Sequence, residues 1–229
     1  MNGQNGQTAM DWTAVLLTLR LAACTTAVLL VVGLPLGYWL ATTRFRGKFL
    51  VEAAVALPII LPPSVVGFYV LWATGPRSPV GRFYESATGG MLPFSFGGIL
   101  LASVLFNLPF AVRPFAASFA AVDRRLIEAS WCLGVSRLRT FVRVVFPLSW
   151  AGVLSGLVLT FAHTIGEFGV VLMVGGSIPG VTRTISIAIY DDVQSLNYAA
   201  AHRTALVLIG LAFTTLCATY ALQRRVLPL

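Results

Sequence analysis

Two short stretches of this 229-residue chain hold side chains that could do chemistry, and both are set in unusual surroundings. The first is Phe161-Ala162-His163-Thr164-Ile165-Gly166-Glu167-Phe168-Gly169, where Glu167 stands between glycines in an otherwise apolar run. A carboxyl group in such a run must be paired or hydrated. A partner such as Arg113, itself inside an apolar segment, would make the pair a gate. The second stretch is Glu128-Ala129-Ser130, followed by Gly134 and later by Phe146-Pro147. It is polar, basic and helical in pattern, yet it lies between strongly apolar segments. Such a helix either docks onto something in water or lies flat on a membrane surface. The sequence shows no Ser-His-Asp set, no paired carboxylates, no metal-ligand spacing and no Gly-rich Lys-Ser/Thr phosphate loop. Catalytic, metal-binding and cofactor-binding residues are therefore not expected in this chain, and it should not be an enzyme. Cys24, Cys132 and Cys217 are far apart and read as small hydrophobes.

The elements that must position these residues follow from composition. The chain is 57% hydrophobic and 10% charged, with a mean hydropathy of +0.85. A soluble domain this apolar would expose large sticky patches, so a polytopic all-α membrane protein is expected. The net charge of +8 would suggest nucleic acid in a soluble protein. Here the charges fall between apolar runs, so membrane topology explains them and no nucleic-acid partner is expected.

A hydrocarbon core about 30 Å thick needs about 20 helical residues. Uncharged runs of that size are Leu21–Thr43, Ala53–Pro76, Ser86–Val112, Val144–Gly166 and Thr204–Gln223. Five spans are expected. The Gly-rich run Phe168–Thr182 is a helix end, a re-entrant turn or a sixth span. Five spans put the termini on opposite sides. One set of loops holds Arg44, Arg46, Lys48, Arg124, Arg125, Arg137, Arg139, Arg143, Arg224 and Arg225; the other holds Arg77, Arg82, Arg183 and Arg203. The positive-inside rule places the richer set, with Glu128 and the C-terminus, in the cytoplasm and the N-terminus outside. Residues 1–10 carry no Lys or Arg, so the first span, not a cleavable leader, should direct insertion.

Around Glu128, Asp123 is a good N-cap, and Leu126, Ile127, Ser130 and Leu133 follow at helical spacing. Gly134 suits a left-handed C-cap, with Arg137 and Arg139 just beyond. Pro147 fits the first turn of the next span. In the second span, Pro58, Pro62 and Pro63 precede Ser64, giving either a packing kink or a broken helix that lines a path. Asn107, Pro109, Arg113 and Pro114 repeat the theme in the third span, where Arg113 either lines the path or snorkels to the interface.

The Glu128 stretch resembles the EAA loop of ABC-transporter permeases, which reads E-A-A, three residues, G, nine residues, I-x-L-P. Glu128 and Ala129 match, Ser130 replaces the second Ala, Gly134 and Pro147 are in register, and Val144 and Phe146 stand for Ile and Leu. Gly166-Glu167-Phe168-Gly169 resembles the G-E-F/Y-G signature of permeases for the tetrahedral oxyanions molybdate, tungstate and sulfate, although those often have Arg where this chain has His163. Leu57 to Gly67, and Thr182-Arg183-Thr184-Ile185 with Tyr190, resemble the molybdate branch. The likeness covers roughly residues 12 to 225.

The resemblance implies a type I ABC importer permease fold in a single permease domain, residues 1–229, with a coupling segment at about 123–147. It implies ATPase coupling through Asp123, Glu128, Ala129, Ser130, Gly134, Arg137 and Pro147. The pathway and gate would fall at Pro62, Pro63, Ser64, Arg113, His163, Thr164 and Glu167. It further implies a second copy of the chain and two ABC ATPase subunits that hold ATP-Mg. A periplasmic or lipoprotein oxyanion-binding protein would dock on the outer loops Gly75–Gly98 and Gly175–Arg203. The setting would be the lipid of the cytoplasmic (inner) membrane. Molybdate import is the expected function. A tungstate or sulfate permease is the alternative within the class. A self-contained channel or carrier would predict internal repeats, and none is visible.

Overall fold

The computed structural model describes residues 10–226, apart from the side chains of residues 219 and 222–226. The expected charges at Arg224 and Arg225, and the N-terminus before Met10, lie outside the described residues.

Helix α1 (Trp12–Thr42) is 31 residues long, about 46 Å at 1.5 Å per residue. Asp11 caps it by accepting the Ala14 N–H at 3.0 Å. It starts nine residues before the expected Leu21, so Arg20 lies inside it. The guanidinium rests 4.3 Å from the Phe96 ring centroid, a cation–π contact that offsets the charge. Helices α2 (Lys48–Ile60) and α3 (Pro63–Thr74) meet at 113°. The expected second span is therefore a broken pair: Pro62 and Pro63 bring no N–H to continue the ladder. A short amphipathic helix, α4 (Pro79–Thr88), follows in the connection from α3 to α5.

Helix α5 (Phe96–Ala120) is shifted from the expected Ser86–Val112. Ser95 sets its start by accepting the Gly98 N–H at 3.2 Å, and the helix continues through Pro109, Arg113 and Pro114. Next come α6 (Arg124–Cys132) and α7 (Arg137–Thr140). A π-helical turn, Phe141–Val145, joins α7 to α8 (Phe146–Ile165), so Arg137–Ile165 runs on as one 29-residue helix. Pro147 stands in the first turn of α8, as expected, but the chain before it stays helical. Its missing N–H leaves the ladder short of a donor, and the preceding turn switches to i→i+5 bonding, with Phe146 N–H donating to Phe141 C=O. Helix α9 (Gly169–Gly175) has only 7 residues, too few to cross, so the Phe168–Thr182 run does not form a sixth span. Helices α10 (Ile185–Gln194) and α11 (Tyr198–Val226) complete the chain. Among the described residues four helices are long and apolar enough to span a bilayer, and the α2–α3 pair makes a fifth.

Helix α5 is the hub, packed by α1, α2, α3, α8 and α9. Toward the end away from α6 the core joins Leu21, Ile99, Phe106, Val170 and Ile187. Toward the α6 end it joins Leu29, Ala111, Phe115, Val145 and Val153. Apolar side chains gain little from leaving lipid for protein, so close backbone approach must hold such helices together. Gly37 supplies it between α1 and α5. The Thr182-Arg183-Thr184-Ile185 stretch is a clasp. Thr182 Oγ1 donates to Gly175 C=O at 2.7 Å. The Ile185 N–H, at the start of α10, donates to Thr18 Oγ1 of α1 at 2.9 Å. Arg183 lies 3.2 Å from Asp191 and 3.8 Å from Asp11.

A Cβ at Gly37 would sit 2.8 Å from Phe115 Cβ and 3.2 Å from the Ala116 backbone nitrogen. Gly37→Val should therefore destabilise the α1–α5 seam by about 1–3 kcal/mol, read as a lower unfolding temperature in detergent. Gly90→Ala, where a Cβ meets nothing within 4 Å, should leave that temperature unchanged.

Candidate functional site

Asn107 of α5 is fully buried, and its amide has no partner on its own helix beyond one carbonyl. Its Nδ2 donates to Ser103 C=O at 2.9 Å and to Glu167 Oε2 at 2.8 Å. Both amide hydrogens are used, so Oδ1 must accept. The atom opposite is His163 Nδ1 at 2.9 Å; that nitrogen therefore carries the hydrogen, a tautomer assigned from the network. The His163 ring stacks on Phe110 with centroids 4.0 Å apart. The result is a chain His163–Asn107–Glu167 that ties the end of α8 to the middle of α5.

Glu167 sits just past α8, in the three-residue break before α9, and is 5% exposed. Its Oε1 accepts no hydrogen bond from the described residues. A buried carboxyl group with so few donors is expensive to keep, which marks the position as one where packing alone was not the constraint. Phe168, its neighbour, lies against Tyr190 of α10, ring centroids 5.1 Å apart.

A cavity of about 640 Å³ opens beside this chain, lined by Pro63, Ser64, Phe106, His163, Glu167 and Gly169 among others. Of the expected pathway residues it gathers Pro63, Ser64, His163 and Glu167. Pro62 is exposed at the bend between α2 and α3 and lies outside the lining. Thr164 is buried, with its hydroxyl donating to Thr160 C=O at 2.8 Å, so it too stays out of the cavity. The anticipated Arg113–Glu167 pair is not formed. Arg113 is six residues beyond Asn107, about 9 Å along the axis; it is exposed and has no carboxylate within 4.0 Å among the described residues. Glu167 takes a neutral amide as partner instead. The signal for Asn107 was a lone amide in an apolar run, and for Phe106 and Phe110 there was none.

The second polar element is α6. Asp123 Oδ1 accepts the Arg125 N–H at 2.9 Å, as an N-cap should. At the other end Gly134 has φ +76°. The Gly134 N–H donates to Trp131 C=O at 2.9 Å and the Val135 N–H to Ser130 C=O at 3.1 Å. These two bonds make a Schellman motif, whose left-handed residue favours glycine. Glu128 and Ala129 are exposed. Arg137 lies just beyond the turn, 5.8 Å from the Trp131 ring centroid. The expected apolar face is divided. Ile127 packs on the core, and Ser130 is buried, with Oγ 2.9 Å from Thr140 Oγ1 of α7. Leu126 and Leu133 face outward, Leu133 at 82% exposure.

Residues 33–228 match the sequence profile of the family described as binding-protein-dependent transport system inner membrane component. The molybdenum transport system permease protein ModB of Azotobacter vinelandii is 46% identical over 214 residues, covering 93% of this chain and 95% of that protein. The protein of the same description from Escherichia coli K12 is 34% identical, covering 93% and 94%. Among solved structures, an inward-facing MetNI methionine ABC transporter superposes with a TM-score of 0.74 at 18% identity, over 95% of this chain and 96% of that one. That likeness concerns the fold.

If Asn107 and Glu167 act as one unit, their substitutions will not add. Asn107→Leu alone strands the carboxyl group and should cost about 1–3 kcal/mol. The double variant Asn107→Leu/Glu167→Leu should lose less than the two single changes summed, by about 0.5–3 kcal/mol. Unfolding of all four proteins in detergent measures this; strict additivity would refute the link.

Proposed function

This chain belongs to the family of binding-protein-dependent transport system inner membrane components, and on that premise we propose that it is the permease subunit of an ATP-driven importer carrying molybdate. The observation that carries the coupling is α6: a polar helix, capped at both ends, clamped at its base and presenting Glu128, Leu126 and Leu133 outward. The similarity to molybdenum permeases over nearly the whole chain supports the substrate. The excess of Arg in the α1–α2 and α5–α8 connections supports a cytoplasmic α6.

In this reading two copies of the chain assemble with two ATPase subunits, which hold the ATP-Mg. A binding protein delivers the anion to the outer loops that contain α4 and α10. The exposed face of α6 seats on the ATPase, with Glu128 and Arg137 supplying charged hydrogen bonds and Gly134 permitting close approach. The Ser130–Thr140 hydroxyl pair locks α6 to the foot of the 29-residue helix Arg137–Ile165. That helix is about 44 Å long and carries His163 in its last turn, near Glu167. Closure of the ATPases on ATP would move α6, swing this rod, and shift His163 and Glu167 against Asn107, opening the cavity alternately to each side. The chain performs no hydrolysis itself.

Uptake of labelled molybdate by cells lacking the chain, and by the same cells with it restored, tests the assignment. Restored uptake that tungstate suppresses and excess sulfate does not is the expected result; equal suppression by sulfate would move the substrate to the broader oxyanion class. Gly134→Val forces a β-branched residue to φ +76°, and it should abolish uptake through loss of ATPase assembly or coupling. Normal uptake by that variant would overturn the role of α6.

A further inference from the structure

We infer that the groove between α6 and the adjoining end of α1 is a binding site for the headgroup of an anionic phospholipid, an inference that rests on the cytoplasmic placement of α6 proposed above. The groove holds about 860 Å³, and its rim carries Arg44, Arg124 and Arg137 against a single acid, Glu128. Three positive groups and one negative leave a net charge of +2. None of the three Arg has a carboxylate within 4.0 Å among the described residues. Three like charges are thus gathered around one opening with Glu128 alone to offset them, which favours an anion.

The inner wall identifies the kind of anion. It is formed by Leu34 and Tyr38 of α1 with Phe119 and Phe141. Leu34 lies eight residues before the end of α1, about 12 Å deeper along the axis than Thr42, within the spanning part of the helix. A soluble partner does not reach that depth, and an inorganic ion has no use for an apolar wall. A phospholipid satisfies both ends: its phosphate meets the arginines at the headgroup level, and its first acyl carbons lie on Leu34 and the aromatic rings. Basic pockets between helices on the cytoplasmic side are suited to such headgroups. A lipid seated here would bridge α1 and α6 and steady the helix that receives the ATPase.

The test uses the full-length chain purified in mild detergent with equal phosphatidylglycerol and phosphatidylcholine, and counts retained lipids by native mass spectrometry. Phosphatidylglycerol should be retained preferentially. Each basic residue near an anionic headgroup contributes about a factor of five in affinity, so Arg44→Gln/Arg124→Gln should weaken retention roughly thirtyfold. Arg44→Lys/Arg124→Lys should keep most of it. Ala120→Trp, at an exposed lining residue, should block the groove without changing charge. Arg46→Gln, exposed in the same loop but outside the lining, should have no effect. The inference is overturned if phosphatidylglycerol shows no preference, or if Arg46→Gln weakens it as much as the double change. It is also overturned if inorganic phosphate, or an added ATPase subunit, displaces the lipid. The orientation is scored separately: a membrane-impermeant maleimide should reach Cys132, exposed on α6, only in inside-out vesicles, with Cys132→Ser as control.

Discussion

In hydrocarbon, a backbone group freed by a helix break can turn only to other protein groups or to a water-filled space, and this chain breaks two helices at one place. The α2–α3 pair bends at Leu61-Pro62, and the chain from α8 to α9 breaks at Gly166-Glu167-Phe168. The two breaks are pressed together. A Cβ on Gly169 would come within 2.9 Å of Pro63 Cβ, and one on Gly67 within 2.7 Å of Met173 Cβ. The cavity beside Glu167 lies in what space remains between them. Because neither break could face lipid, α5 must stand behind both, and its buried Asn107 becomes the partner of Glu167 and His163 at the second break. The hub position of α5 and the placement of the site are consequences of one solvation constraint.

The same constraint explains what was legible in the sequence. The three prolines of the second span signalled a kink or a break, and the Gly-rich run after Glu167 a helix end, a re-entrant turn or a sixth span. The caps of α6 were legible because capping is local: Asp123 and Gly134 act through bonds within a few residues of themselves. Helix limits within the membrane were not legible from charge alone. The uncharged runs stop beside Arg20 and Arg113, yet α1 and α5 run through both, because a long side chain on an outer helix face finds a ring or the interface. Nor was the partner of Glu167. A charged pair with Arg113 was the simplest guess for a buried acid. Asn107 instead lies one and two-thirds turns away on the same helix and on the face that meets α8. Only packing, not spacing, decides between two polar residues six apart.

Pro147 teaches a related point. As a residue type it belongs at a helix start, and in α8 it holds that local position. The segment before it nevertheless stays helical by changing its bonding for one turn. The gain is continuity: α7, the π turn and α8 form one rod from the Ser130–Thr140 pair to the His163–Asn107 contact. A loop at Pro147 would have isolated α6 from the cavity. Such a turn is also the weakest point of the rod, since it alone departs from i→i+4 bonding, so any bending of the lever should concentrate at Phe141–Val145.

The cavity's own chemistry limits what it can be asked to do. Its ionisable lining consists of His163, whose Nδ1 is committed to Asn107, and Glu167; Arg113 stays outside. An oxyanion taking the path proposed above would meet a hydroxyl at Ser64, one free ring nitrogen, and an acid that would repel it if charged. No fixed cation waits among the described lining residues. That arrangement suits a path that lets an anion leave more readily than one that holds it, which is what a transporter needs from its middle section. Discrimination among tetrahedral oxyanions then falls to a site where the anion can be fully enclosed by donors, and in a binding-protein-dependent system that site lies on the protein that delivers it. On the function proposed above, the permease is left with two tasks: conducting the anion past two broken helices, and moving those helices when α6 is pushed.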